Sequence, residues 1–139
     1  FESLSRLDTL KMKIEQACRR YAREREDGLE GEILHMKEEY LRLLHNHRKY
    51  AGRSMLYHSG PLVPCLFNSG SGIGPGGITA IEITDGMIAL VLWFHRSRNP
   101  RYLEVEGRRA IPMGDSDIYR VVLKQDSLDY MFTRIHLLS

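Results

Sequence analysis

Leu7, Leu10, Ile14, Ala17 and Tyr21 recur at steps of three, four, three and four, with Lys, Arg and Glu on the faces between them. An apolar position on that period lies along one side of a helix, so the spacing predicts an amphipathic helix from residue 3 to about residue 26. The stretch EDGLEG, residues 26 to 31, interrupts it with two glycines. The stripe then resumes as Leu29, Ile33, Met36, Tyr40, Leu43, His47 and Tyr50, widened by Leu41 and Leu44. Its register shifts across the glycines. Either the helices fold back on each other as a hairpin, or one long helix carries a discontinuity. Gly28 and Gly31 favour the hairpin, because glycine is a poor helix former. Stripes this narrow cannot bury an independent core. They are expected to pack on each other, on the rest of the chain or on a second copy. Leu7, Leu10, Ile14, Tyr21, Ile33, Met36, Tyr40 and Leu43 are therefore the candidate oligomerisation residues.

After residue 53 the period changes. SGPLVPCLFNSGSGIGPGG, residues 59 to 77, reads as a connector with one short strand near Leu62 to Phe67. ITAIEIT and MIALVLWF follow, joined by Asp85-Gly86, a strong hairpin signal. The second of these is apolar on both faces, which predicts a central, buried strand with Trp93 in the core. RYLEVE and RRAIPM, joined around Gly107, and IYRVVLKQ, residues 118 to 125, are further strand candidates. Short turns throughout predict an antiparallel meander of five to six strands. The tail is ambiguous between strand and helix. Leu128, Met131, Ile135 and Leu138 fall on one helical face, with Asp126 or Ser127 as N-cap and Asp129 near the positive end of the dipole, which favours a helix across the sheet. The expected fold class is α+β. It comprises a helical segment over 1–53, a Gly/Pro-rich connector over 54–77, and a β-meander closed by a C-terminal helix over 78–139.

The glycine run raises a chemical question. Gly72, Gly74 and Gly77 have the G-x-G-x-x-G spacing of phosphate-binding loops. Such a loop in a dinucleotide fold opens a helix, whereas ITAIEIT is a β-branched strand. The kinase-type loop needs a following lysine, and none occurs between Lys49 and Lys124. The glycines are read as a flexible lead-in to the sheet. HNH, residues 45 to 47, is contiguous on a helix and reads as part of the helical surface, not a nuclease motif. The histidines form no spaced metal set with Cys or carboxylates, and nothing positions Cys65 as a nucleophile. No catalytic residue, metal or cofactor is expected.

Hydrophobic content of 42% and charged content of 27% are those of a soluble globular domain, and a net charge of +2 implies no global attraction to nucleic acid or membrane. The longest apolar run, eight residues, cannot span a bilayer. Cys18 and Cys65 suit a reducing compartment, cytoplasmic or nuclear. The chain opens on Phe1 rather than Met, as expected of a piece of a longer protein. Charge is concentrated locally. Residues 54 to 94 hold no Lys or Arg, and residues 95 to 109 hold Arg96, Arg98, Arg101, Arg108 and Arg109 against Glu104 and Glu106. Arginine forks pair well with phosphate and carboxylate, so this cluster is the candidate anion site; nucleic acid would want more net charge.

The order of segments over residues 74 to 139 resembles a polo box. AIEITDGMIALVLWF matches a first strand, a tight turn and an apolar second strand ending in aromatics. PRYLEV matches a basic residue leading an L-x-L-type strand, EGRRAIPM is a looser match to the next, IYRVVLK matches a Y-x-L-type strand, and SLDYMFTRIHLL matches the closing helix. The resemblance implies a non-catalytic protein-binding module that targets a larger cell-division protein to kinetochores or centrioles. Some polo boxes bind phosphopeptides through a His and a Lys on the third strand. Here the His position falls near Asn99 and the Lys position on Arg101, so a box that dimerises or binds an unmodified partner is expected first, with an acidic or phosphorylated peptide as the other candidate partner. The helical segment resembles the coiled-coil elements attached to such boxes, which favours a homodimer.

Overall fold

A computed structural model describes residues 2–51, 62–64, 67–70, 72 and 74–139, with the backbone alone at 2–4 and 48–51. Cys65 and His58, and half of the connector, lie outside the described residues. Contacts divide the chain into two units, Phe1–Cys65 with Asp129–Ser139, and Leu66–Leu128.

In the first unit, α1 (Glu2–Glu24) and α2 (Leu29–Ala51) form the hairpin that the glycines favoured. The break sits at Arg25 to Gly28, where Arg25 and Gly28 have positive φ of 39° and 85°. Gly31 lies inside α2, so the first glycine makes the turn. The helices run antiparallel: Tyr21 Oη meets Glu30 near the turn at 3.5 Å, and Arg6 pairs with Glu39 further along at 2.9 Å. Both stripes face inward. Leu7, Leu10, Ile14, Ala17, Cys18, Leu29, Ile33 and Tyr40 are buried in one core, against which Tyr21, Met36 and Leu43 pack. Burial pushes the Cys18 thiol up to about 11, so at neutral pH it is a small apolar filler.

The third wall of this core is α3 (Leu128–Leu138), through Tyr130, Leu137 and Leu138. The tail is the expected helix, and its buried side chains belong to the helical core. Leu62 and Val63 pack there too, and Arg134 donates to the Leu62 carbonyl at 2.7 Å. Leu62 to Pro64 form no strand.

In the second unit, β1 (Ile78–Thr84) and β2 (Met87–His95) form the expected hairpin. Asp85 and Gly86 both have positive φ, 52° and 73°, as a tight primed turn requires. β2 is central. The main sheet has the order β1-β2-β6-β5, all antiparallel, with β5 (Ile111–Pro112) and β6 (Ile118–Ser127). Of the segment expected to supply the next meander strands, only Ile111–Pro112 joins the sheet, and the chain before it leaves. Pro100 opens a 3-10 turn over Pro100–Leu103, so RYL is helical. Only Glu104–Val105 (β3) and Arg108–Arg109 (β4) pair, as a small hairpin around Glu106 and Gly107. This excursion covers one face of the sheet. Leu92, Phe94 and Val121 are buried under Tyr102, Leu103, Val105 and Ala110.

A bulge interrupts the β2–β6 pairing. Leu90 opposes Lys124 and Val91 opposes Val122, which leaves Leu123 unpaired. Arg108 Nη1 donates to the Leu123 carbonyl at 2.8 Å.

Three strands are also tied by charge. Glu82 on β1 accepts from Trp93 Nε1 on β2 at 3.1 Å and from Arg120 Nε on β6 at 3.0 and 3.1 Å. The Arg120 guanidinium holds the Glu82 carboxyl below its ordinary value of 4.5. A depressed folded value means the stabilisation is fully present above about 4.5 and is lost as pH falls through the lower folded value. Glu82→Gln is therefore expected to cost about 1 kcal/mol above pH ~5, since the pair is only partly screened by solvent. The gap to wild type should shrink with acid. Denaturant melts at several pH values measure it, and a gap that widens below pH ~4 would contradict the assignment.

Candidate binding cleft at the end of the sheet

At the end of the sheet where β1 begins and β2 ends, an open cleft of about 280 Å³ lies in the second unit. Its apolar lining comes from Pro75, Ile78, Trp93, Phe94 and Ile118, and its polar lining from His95, Arg98 and Asn99. Ile78, the first residue of the edge strand β1, is 53% exposed. Trp93, expected in the core, is half-buried and lines this opening.

Two local features shape the walls. Gly77 adopts φ +115°, and a Cβ there would meet Trp93 O at 2.4 Å and Phe94 Cβ at 3.1 Å. No other residue type fits that approach without backbone movement. Asn99 Nδ2 donates to the Pro75 carbonyl at 2.9 Å, which ties the turn after β2 to the glycine run. Its amide donates to His95 O at 2.9 Å, and its carbonyl accepts from Tyr102 N, so Asn99 closes the turn and starts the 3-10 segment.

The turn is also anchored to β6. Arg96 N donates to Asp117 O at 2.9 Å, Ser97 N lies 3.3 Å from both Asp117 carboxylate oxygens, and Ser97 Oγ donates to Oδ2 in a short bond. Ser97's hydroxyl bond is the main reason the Asp117 carboxyl sits below its ordinary value, with its amide, His95 and Arg96 adding to the effect. His95 Nδ1 lies 3.7 Å from Asp117 Oδ2. Ser, His and Asp thus meet around one carboxylate, which accepts from the serine hydroxyl and lies beside the imidazole.

The structure separates the arginines that the sequence groups together. Arg96 lies over the Tyr119 ring and contacts its hydroxyl at 3.4 Å. Arg101 packs on Tyr102, 4.7 Å from the ring centre, and donates to its hydroxyl at 3.0 Å. Arg108 serves the bulge carbonyl. Arg109 is exposed on β4, opposite Glu104. Arg98 lines the cleft, and among the described residues its guanidinium has no hydrogen bond or ion pair. Of the candidate anion-site residues, Arg98 and Asn99 therefore come together at the cleft, with His95 beside them. His95 and Ile78 were not singled out as site residues by sequence, and Trp93 was assigned to the core; the signal for them is that β1 and β2 pair to their ends, Ile78 opposite Trp93. The candidate oligomerisation residues lie in the helical core of a single chain, so their burial needs no second copy. Among the described residues no group of three or more His, Cys, Asp or Glu is arranged to hold a metal ion, and no helix is long and apolar enough to cross a membrane. No protein-family model, curated protein or solved structure matches the chain.

Proposed function

We propose that the chain is a non-catalytic protein-interaction and targeting module whose sheet unit captures an acidic peptide segment. The observation that carries this is the Arg98 guanidinium, without a hydrogen bond or ion pair among the described residues, at the rim of an aromatic-lined cleft. A buried apolar floor beside a few convergent polar groups is the usual form of a small binding site. The apolar lining suits a leucine-like side chain, and Arg98, His95 and the Asn99 amide suit a carboxylate or phosphate next to it. The polo-box resemblance extends the proposal to targeting of a larger cell-division protein, at kinetochore or centriole, in cytoplasm or nucleus. Self-association would need a surface other than the two helical stripes, which one chain already buries.

Trp93 is the chain's single tryptophan and lines the cleft, so its fluorescence reports occupancy directly. Titration with a peptide carrying glutamate beside leucine, and with its phosphoserine counterpart, should give a saturable change. Arg98→Ala should weaken binding about tenfold to a hundredfold, the worth of one charge-assisted hydrogen-bonded pair. Arg96→Ala and Arg109→Ala should leave it within about threefold. Equal losses at all three positions would point to a diffuse basic surface and remove the cleft from the proposal.

A further inference from the structure

We propose that Ser97 is a phosphorylation site for an arginine-directed serine kinase, and that its phosphate detaches the turn after β2 from Asp117 and neutralises the cleft; the effect on the cleft rests on the binding proposal above. Ser97 is exposed in a turn over Arg96–Arg98, outside the sheet ladder, where a kinase can draw the chain into an extended conformation. It is flanked on both sides by arginine, in the sequence HRSRNP. A kinase whose substrate groove is lined by carboxylates reads such flanks by charge. In the reaction the γ-phosphoryl group of ATP passes to Ser97 Oγ. The P–Oγ bond forms, the bond to the bridging oxygen of ADP breaks, and the hydroxyl proton passes to the kinase's catalytic base.

The consequences follow from what Ser97 touches. Its hydroxyl is a donor to the Asp117 carboxylate, and its amide points at the same group. A phosphoserine oxygen has no proton to donate, and a group of about −2 charge beside a carboxylate is repelled. The same phosphate stands one residue from Arg98, whose guanidinium has no partner among the described residues. Pairing of the two satisfies the phosphate and removes the cation that an acidic ligand would use. One covalent change thus acts on the turn's anchor and on the cleft's charge together.

The full chain should be incubated with ATP, magnesium and an arginine-directed serine kinase, with a free peptide of residues 92–102 as a control for kinase activity. Peptide mapping by mass is expected to place a phosphate on Ser97, and none at that position in Ser97→Ala. Phosphoserine encoded at position 97 then supplies homogeneous protein. Its Arg96 and Ser97 amides should exchange at least about tenfold faster than in unmodified protein, and the acidic peptide should bind at least about tenfold more weakly. Phosphorylation of the free peptide with Ser97 untouched in the folded chain overturns the site. Unchanged amide exchange in the phosphoprotein overturns the detachment, and unchanged peptide affinity overturns the control of the cleft. If the unmodified chain does not bind the peptide at all, the cleft proposal fails by itself, while mapping and exchange still decide the modification and the detachment.

Discussion

Gly77→Ala is expected to destabilise the sheet unit by about 3 kcal/mol, whereas Gly74→Ala, three residues earlier in the same glycine run, should change stability by less than about 0.5 kcal/mol. The contrast rests on local geometry. At Gly77 a Cβ would overlap the Trp93 carbonyl oxygen, which is backbone and cannot swing aside, and the φ of +115° is one that side-chain-bearing residues rarely adopt. At Gly74 nothing lies within 4 Å and φ is not in that range. Urea melts followed by Trp93 fluorescence measure both variants. Because the overlap is with the cleft wall, Gly77→Ala should also shift the Trp93 emission of the folded state, an effect Gly74→Ala lacks. Equal stabilities for the two variants would show that the glycines act only as a tether.

The second large effect concerns the helical core. Ile14 is fully buried, and Ile14→Ala should cost about 3 kcal/mol by removing buried methyl and methylene groups and leaving a cavity. Ile14→Glu should unfold the helical unit outright, since the side chains of the surrounding cluster are apolar and a carboxylate there would be desolvated. Far-UV circular dichroism should lose helix signal at every protein concentration. If the stripes instead held two chains together, the same substitution would yield a helical monomer by light scattering. The two outcomes separate an intramolecular core from a dimer seam.

The helical stripes and the first hairpin are written in local periodicity, which is why both were legible. Asp85-Gly86 asks for positive φ at adjacent residues and obtains it. The excursion over 100–110 was less legible because RYLEVE alternates like a strand, and one proline outweighs that alternation at its start. The partner of β2 was hidden for a different reason. Pairing between β2 and β6 depends on matching two long strands across intervening chain, and nothing in either strand alone names the other. The Glu82–Arg120 pair was within reach of sequence: one acid inside an otherwise uncharged strand calls for a cation, and Arg120 is the lone cation in the apolar half of β6. The cleft was only half legible. Counting arginines located Arg98, and the polo-box resemblance pointed to Asn99, but tyrosine stacking and a bulge carbonyl occupy three of the other arginines, and those are properties of folded neighbours.

The split of the helical core between Phe1–Cys65 and Asp129–Ser139 has a consequence for biosynthesis. A ribosome delivers α1 and α2 first, then the whole of Leu66–Leu128, and only afterwards the helix bearing Tyr130, Leu137 and Leu138. The sheet unit is contiguous and can complete while the nascent helical hairpin still lacks a wall. For that interval Leu7, Ile14 and Ile33 form an incompletely covered apolar stripe, the kind of surface that holding chaperones bind. The unit that is synthesised first is therefore the one that finishes folding last.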